Sequence, residues 1–348
     1  MTRRQFAVLA AAAPAAVSSL SGASRTSVGI GSASYHYRAS VERQRGETPI
    51  TDPLRFASYC AELGAGGIQA SLPSADGGDA RKVGDIVKKN GMYFEASAQL
   101  PRSQSDLDAF NDTVRAAEQA GANVIRTVLF SGRRYEAFTD LAHFQEARQT
   151  AWKSVTLAEP VLRKRKMKIA IENHKDLRSE DLLQLIDRIQ SEYVGVCVDL
   201  GNNYALMEDP VDIARAFSKF AYSCHIKDHV LKSYNKGFLL FDAKLGTGVI
   251  NLRQAVSTLR QAQPNLKFSL ETMTRDALEV PYLEDGFWTT MGTDIPGQDV
   301  VRTMKLVQDT EPKDDLPRIS ALSPEEHIKL EDDNVRAGLA YAADTLGL

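Results

Sequence analysis

Four short apolar segments between residues 168 and 272 each end on a residue able to bind a hard metal ion. They are KIAIENH with Glu172, VGVCVDLGN with Asp199, YSCHIKD with His225 and KFSLET with Glu271. Three carboxylates and one imidazole form an oxygen-rich donor set. It suits Mn2+ first, then Mg2+ or Co2+, and tolerates Zn2+; a structural zinc site would show cysteines instead. Taken singly, each acid reads as a helix cap or a loop salt bridge. Taken together, three negative charges at one point repel unless a cation lies between them. A divalent ion with open positions can chelate a carbonyl and a neighbouring hydroxyl, act as a Lewis acid and stabilise an enediolate. Glu172 and Glu271 could then work from opposite faces, one taking the proton beside the carbonyl and the other returning it. Two such carboxylates give isomerisation or epimerisation. If a β-leaving group or a carboxylate is lost instead, they give elimination or decarboxylation.

The elements that hold these residues follow from the spacings, which are 27 (172 to 199), 26 (199 to 225) and 46 (225 to 271). A strand–helix unit of a parallel barrel takes roughly 30 residues. The first three candidates therefore fall one unit apart, and the fourth fits one unit with an insertion. Upstream, the sequence predicts strands over 27–37 (ending near His36), 67–72, 92–100 and 123–130, alternating with helical patterns. The helix over 52–63 has Asp52 and Pro53 as its start signals. Eight strand–helix repeats give an α/β class with a parallel sheet. Alternation alone fits a closed barrel or an open sheet. Four donors meeting on one axis favour the (β/α)8 TIM barrel, because its strand ends share one face.

Three regions are predicted. Residues 1–26 read as a twin-arginine-type signal, with Arg3-Arg4 ahead of AVLAAAAPAAV and small residues at Ser21-Gly22-Ala23. That places the protein in the periplasm, exported already folded. Residues 27–280 form the barrel. Residues 281–348 form a helical extension packing on the barrel or on a partner subunit. The stretch from Asp228 to Gly248 reads as a long loop at the catalytic face, a place where lids occur. Cys60, Cys197 and Cys224 have no paired spacing, so no disulfide framework is expected. A net charge of −3 without a basic stripe argues against a nucleic-acid surface. No apolar run reaches the ~20 residues of a membrane span.

The motifs IENH, VDLGN, HIKD and LET, in this order, resemble the sugar phosphate isomerase/epimerase superfamily of xylose isomerase-like TIM barrels, over about Ser27 to Asp276. The resemblance implies that Glu172, Asp199, His225 and Glu271 ligate the metal and that Glu172 and Glu271 are the acid/base pair. It also implies a sugar or oxo-sugar substrate and a possible homo-oligomer. Ketohexose 3-epimerases of the superfamily carry a His three residues after the ligand Asp and an Arg six residues past the ligand His. Here those places hold Asn202 and Leu231. The ENHKD and HIKD runs are also similar to family members acting as decarboxylases of oxo-sugar acids, where a Lys near the metal could hold a carboxylate. The apurinic-site nucleases of this barrel use more His ligands than six His residues in the whole chain supply. A non-catalytic exported sugar-binding protein is a further alternative, opposed by the intact set of four.

Side chains at i and i+2 of a strand share a face, so His174 is expected beside Glu172 and Lys227 beside His225, both as substrate contacts. His36, Arg126 and Asn202 are further candidates for binding substrate. Glu95 reads as pocket lining or a satisfied core group, His229 as loop surface, and Trp288 as a pocket wall or rim packing.

Overall fold

The computed structural model describes residues 26–73, 78–292 and 295–348. The signal expected over 1–26 falls, but for Thr26, outside the described residues.

Eight parallel strands form the core: β1 (Gly29–Gly31), β2 (Gly67–Ala70), β3 (Tyr93–Ser97), β4 (Val124–Thr127), β5 (Lys168–Glu172), β6 (Val194–Asp199), β7 (Ala221–Ile226) and β10 (Phe268–Leu270). They close in the order β1-β10-β7-β6-β5-β4-β3-β2. The strands are short and almost wholly buried, with Ile, Val, Ala and Gly their commonest residues, as a sheet enclosed by helices allows. The helices start on chemistry visible in the sequence. Asp52 caps α2 (Pro53–Glu62) by accepting from the Leu54 and Arg55 amides. Asp209 caps α8 (Pro210–Phe217) in the same way, and Ser323 with Glu326 forms a capping box on α12 (Pro324–Tyr341). Each such cap contributes about 1 kcal/mol. Helices α3 (Asp79–Lys89), α4 (Leu107–Gln119), α7 (Ser179–Ile189) and α9 (Leu252–Ala262) follow other strands in the same alternation. The three cysteines are buried and unpaired.

Three expectations are corrected. The first strand is only three residues long; the chain then turns through Ser32–Tyr35 into α1 (His36–Gln44). His36 therefore opens a helix rather than ending a strand, because the small residues GSAS let the chain tighten early. The long loop after β7 is an antiparallel hairpin, β8 (Asp228–Tyr234) on β9 (Gly237–Ala243), with β11 (Leu278–Val280) as a third strand. Burial alternates along part of both strands, as in an antiparallel sheet with one face covered. His229 accordingly lies inside, fully buried, and not on a loop surface.

The segment beyond β11 packs on elements that follow the C-terminal ends of the barrel strands. Helix α10 (Asp285–Met291) packs on α5 (Arg134–Ala137) and α6 (Leu141–Arg165), and α11 (Gly297–Thr310) packs on β8. Arg178 pairs with Asp299 at 2.9 Å, tying α11 to the loop after β5. Arg134, from the basic stretch after β4, is fully buried and donates to the Thr290 carbonyl, so it anchors α10 and does not line a basic surface. Helix α12 then returns to α1 and β10, and the Thr26 hydroxyl donates to the Leu348 carbonyl at 2.7 Å. No described helix is long and apolar enough to cross a membrane.

Gly246 joins the hairpin to α12. Its φ is +85°, and a Cβ there would overlap the Tyr341 ring. A left-handed backbone and a steric clash act together at this position. Gly246→Ala is expected to destabilise the protein by roughly 1–3 kcal/mol, read as a lower thermal midpoint. An unchanged midpoint would show that the α12 contact does not support the hairpin.

Candidate metal centre

The four residues singled out by spacing meet at the C-terminal ends of four neighbouring strands. Glu172 ends β5, Asp199 ends β6, His225 lies one residue before the end of β7, and Glu271 follows β10. One ligand atom from each lies within 4.8 Å of the others. His225 Nδ1 is 3.5 Å from a Glu172 oxygen, 3.6 Å from Asp199 Oδ2 and 3.4 Å from Glu271 Oε2. Donors about 2.0–2.2 Å from one ion stand roughly this far apart. His225 Nδ1 is buried and has no hydrogen-bond partner. Buried polar atoms are mostly satisfied. The donor chemistry and this unpartnered nitrogen thus fit a divalent cation.

The surroundings aim each donor. His225 Nε2 lies 2.8 Å from Gln69 Oε1, and Gln69 Nε2 donates to Glu95 Oε2 at 3.0 Å. The same Glu95 oxygen accepts from Ser223 at 2.6 Å. Because Gln69 presents its oxygen, the neutral form of His225 carries its proton on Nε2 and turns the Nδ1 lone pair inward. Burial pushes the Glu95 carboxyl up, and Ser223 and Gln69 only partly counter this. Asp199 Oδ1 accepts from the Gly201 and Asn202 amides at 2.9 and 2.8 Å, leaving Oδ2 for the centre. Asn173 binds both the amide and the carbonyl of Asp199, locking β5 to β6. Gly201 has no side chain because a Cβ would overlap the His229 ring of the hairpin.

Cations surround the carboxylates. Lys227 Nζ lies 2.7 Å from both Asp199 Oδ2 and Glu271 Oε2. Burial opposes ionisation of Glu271, but Lys227 and His225 outweigh it and hold the carboxyl well below its usual range. Asp199 is lowered by the same balance, with Lys227 the leading opposing influence. His225 is raised: burial disfavours its charge, while Cys197, Glu271 and Glu172 favour it more strongly. Arg126, on β4, donates from Nε to Glu172 at 2.5 Å.

The remaining candidates divide. Lys227 reaches the centre, and its partner is Asp199 rather than Asp228, whose carboxylate accepts four backbone amides around the hairpin. Asn202 is a hub: Nδ2 donates to Glu172 at 2.9 Å, and Oδ1 faces the ammonium groups of Lys175 and Lys227. His174 lies just past β5, where its amide donates back to the Glu172 carbonyl and breaks the strand alternation. Burial, together with Lys175, Arg126 and Lys227, pushes its ring down to about 3. His36 sits at the rim, its side chain 41% exposed and 3.5 Å from Glu331 of α12, outside the quartet. Trp288 donates its indole N–H to the Tyr282 carbonyl at 2.7 Å and packs in the extension. The sequence reading missed Gln69, Asn173 and Lys175. Each is an ordinary polar residue in sequence, and only the barrel register brings it to the centre.

A model of the xylose isomerase-like TIM barrel family matches residues 57–289. The chain belongs to that family. Among curated relatives it is 23% identical over 272 residues to the 3-oxo-isoapionate decarboxylase of Pectobacterium atrosepticum, covering 75% of this chain and 92% of that protein. Among solved structures it is similar to a D-psicose 3-epimerase, with a TM-score of 0.56 and 13% identity, covering 85% of this chain and 94% of the other. It is also similar to a xylose isomerase-like barrel of Mycobacterium smegmatis in complex with magnesium, with a TM-score of 0.53 and 15% identity, covering 82% and 97%. Those two likenesses show the shared fold.

In this xylose isomerase-like barrel, Gln69 touches the candidate ligand His225 without joining the quartet. Gln69→Ala is expected to weaken Mn2+ binding roughly 10- to 100-fold, measured by metal titration, with the fold retained by circular dichroism. Unchanged Mn2+ affinity would remove the Gln69–His225 contact from the account.

Proposed function

We propose that this protein is a divalent-metal-dependent isomerase or epimerase that moves a proton beside the carbonyl of a sugar or oxo-sugar. One observation carries the reading: three carboxylates and an imidazole converge at the barrel mouth with their ligand atoms within 4.8 Å of one another, and His225 Nδ1 is left without a hydrogen-bond partner. Under this reading Glu172, Asp199, His225 and Glu271 hold the ion, with Mn2+ first and Mg2+, Co2+ or Zn2+ also compatible. The magnesium of the M. smegmatis relative supports a hard ion. A bound ion supplies Lewis acidity toward a carbonyl and an adjacent hydroxyl.

The chain's own residues then handle the proton. Glu172 and Glu271 stand at the two ends of an arc of four neighbouring strands, with β6 and β7 between them. A substrate seated over Asp199 and His225 meets one carboxylate on each side, so one can accept the proton and the other can return it. Asn202 and Arg126 each grip one Glu172 oxygen, and Lys227 grips Glu271, so neither acid can rotate freely. The buried setting strengthens these contacts and keeps bulk water from the reacting carbon.

A second reading is a lyase or decarboxylase acting on an oxidised sugar. The similarity to 3-oxo-isoapionate decarboxylase favours it. In that reaction the bond to the carboxylate breaks, its electron pair stays on the carbon beside the carbonyl, CO2 leaves, and a protonated acid returns a proton to that carbon. Export through the Arg3-Arg4 signal, part of the same proposal, would place the enzyme in the periplasm and favour free sugars over phosphorylated ones.

The test is deuterium exchange in D2O, followed by mass spectrometry, with Mn2+-loaded protein and a panel of keto-sugars, 3-keto-glycosides and oxo-sugar acids. Exchange that stops on chelation and falls about 10²- to 10⁴-fold in Glu271→Gln at matched metal content is the expected result. Mass loss with CO2 release would select the second reading. Metal-loaded protein that neither exchanges nor cleaves any member of the panel would contradict both and favour a binding protein.

A further inference from the structure

Lys175 is an unusual lysine. It follows the ENH run after β5, is 5% exposed, and has the Asn202 amide oxygen as its hydrogen-bond partner. Among the described residues no carboxylate pairs with it. A buried ammonium without a counter-ion is costly, and Lys175 is further crowded by positive charge. Burial, then Lys227 and Arg275, push its ammonium down to about 8. Arg275 stands at the rim, its side chain 29% exposed, and reaches Asp242 through two contacts of 3.3 Å. That is long for a guanidinium–carboxylate pair.

The acids of this region already have cations on them: Arg126 on Glu172, Lys227 on Asp199 and Glu271, and Arg275 on Asp242. Asp176, the other acid beside Lys175, is pushed up to about 8 by burial. Asp228 is committed to the four backbone amides of the hairpin. A divalent ion on the quartet would add positive charge to a largely buried region in which Lys175 has Asn202 and no carboxylate as its partner. A neutral sugar would leave that lysine uncompensated.

We propose that the substrate is a sugar acid and that Lys175, with Arg275 at the rim, holds its carboxylate beside the metal centre. This rests on the metal-centre reading and names the substrate class it acts on. It also gives a role to a lysine that neither ligates the centre nor moves the proton: the carboxylate is its missing counter-ion, and Asn202 positions its ammonium.

The test is calorimetric titration of Mn2+-loaded protein with matched pairs that differ in one group, D-fructose against D-fructuronate and D-tagatose against D-tagaturonate. At least one uronate should bind about tenfold or more tightly than its neutral partner, as a charge-assisted contact allows. Lys175→Gln, compared at matched Mn2+ content, should erase that preference, and Lys175→Arg should restore part of it. The inference is overturned if no uronate is preferred in any pair by the wild-type protein, or if the preference survives Lys175→Gln. A wild-type protein that takes up no Mn2+ sinks the metal reading and this one with it. Mn2+ uptake without a uronate preference sinks this one alone.

Discussion

Three carboxylates placed at one point in a buried pocket repel each other, and the rest of the catalytic end is built around that repulsion. Burial alone would push Asp199 and Glu271 toward protonation, and Lys227 between them opposes it. Arg126 pairs with Glu172. Charge compensation therefore comes from side chains on other strands. The barrel makes this possible because all its strands deliver their C-terminal ends to one mouth.

The supporting structure is layered outward from that point. Gln69, Glu95 and Ser223 form a hydrogen-bonded chain behind His225 and fix which nitrogen faces the centre. Asn173 and Asn202 lock the ends of β5 and β6 together. Outside these, the hairpin brings Asp242 and the buried His229 against the loop after β6, and the 281–310 segment is held to the barrel by Arg134 and Arg178. The outer helices thus bear on the chemistry indirectly, by keeping the polar inner groups dry and in register.

The quartet was legible in the sequence because each of its residues closes a run of apolar residues at a strand-unit spacing. The barrel was legible for the same reason, as were the helix starts marked by Asp52-Pro53 and by Ser323 with Glu326. The partners of the quartet were not. Gln69 and Glu95 lie on strands far from His225 in the chain, and only the closed strand order brings them behind it. His36 was misplaced because a Gly/Ser/Ala-rich stretch can extend or turn equally well. The hairpin was taken for a loop because its sequence, with FLLF in β9, lacks the apolar–polar alternation of a half-covered strand, and an antiparallel pair has no place in a repeat of strand–helix units. His174 was expected on the strand face, but its amide turns back onto the Glu172 carbonyl two residues earlier.

The most direct measurement is anomalous diffraction from a crystal of the Mn2+-loaded protein. The account predicts one manganese peak at the barrel mouth, about 2.0–2.3 Å from His225 Nδ1 and from one oxygen each of Glu172, Asp199 and Glu271. No peak there, with Lys227 still bridging Asp199 and Glu271, would mean that the lysine is the permanent counter-ion of these acids and that the centre is not a metal site.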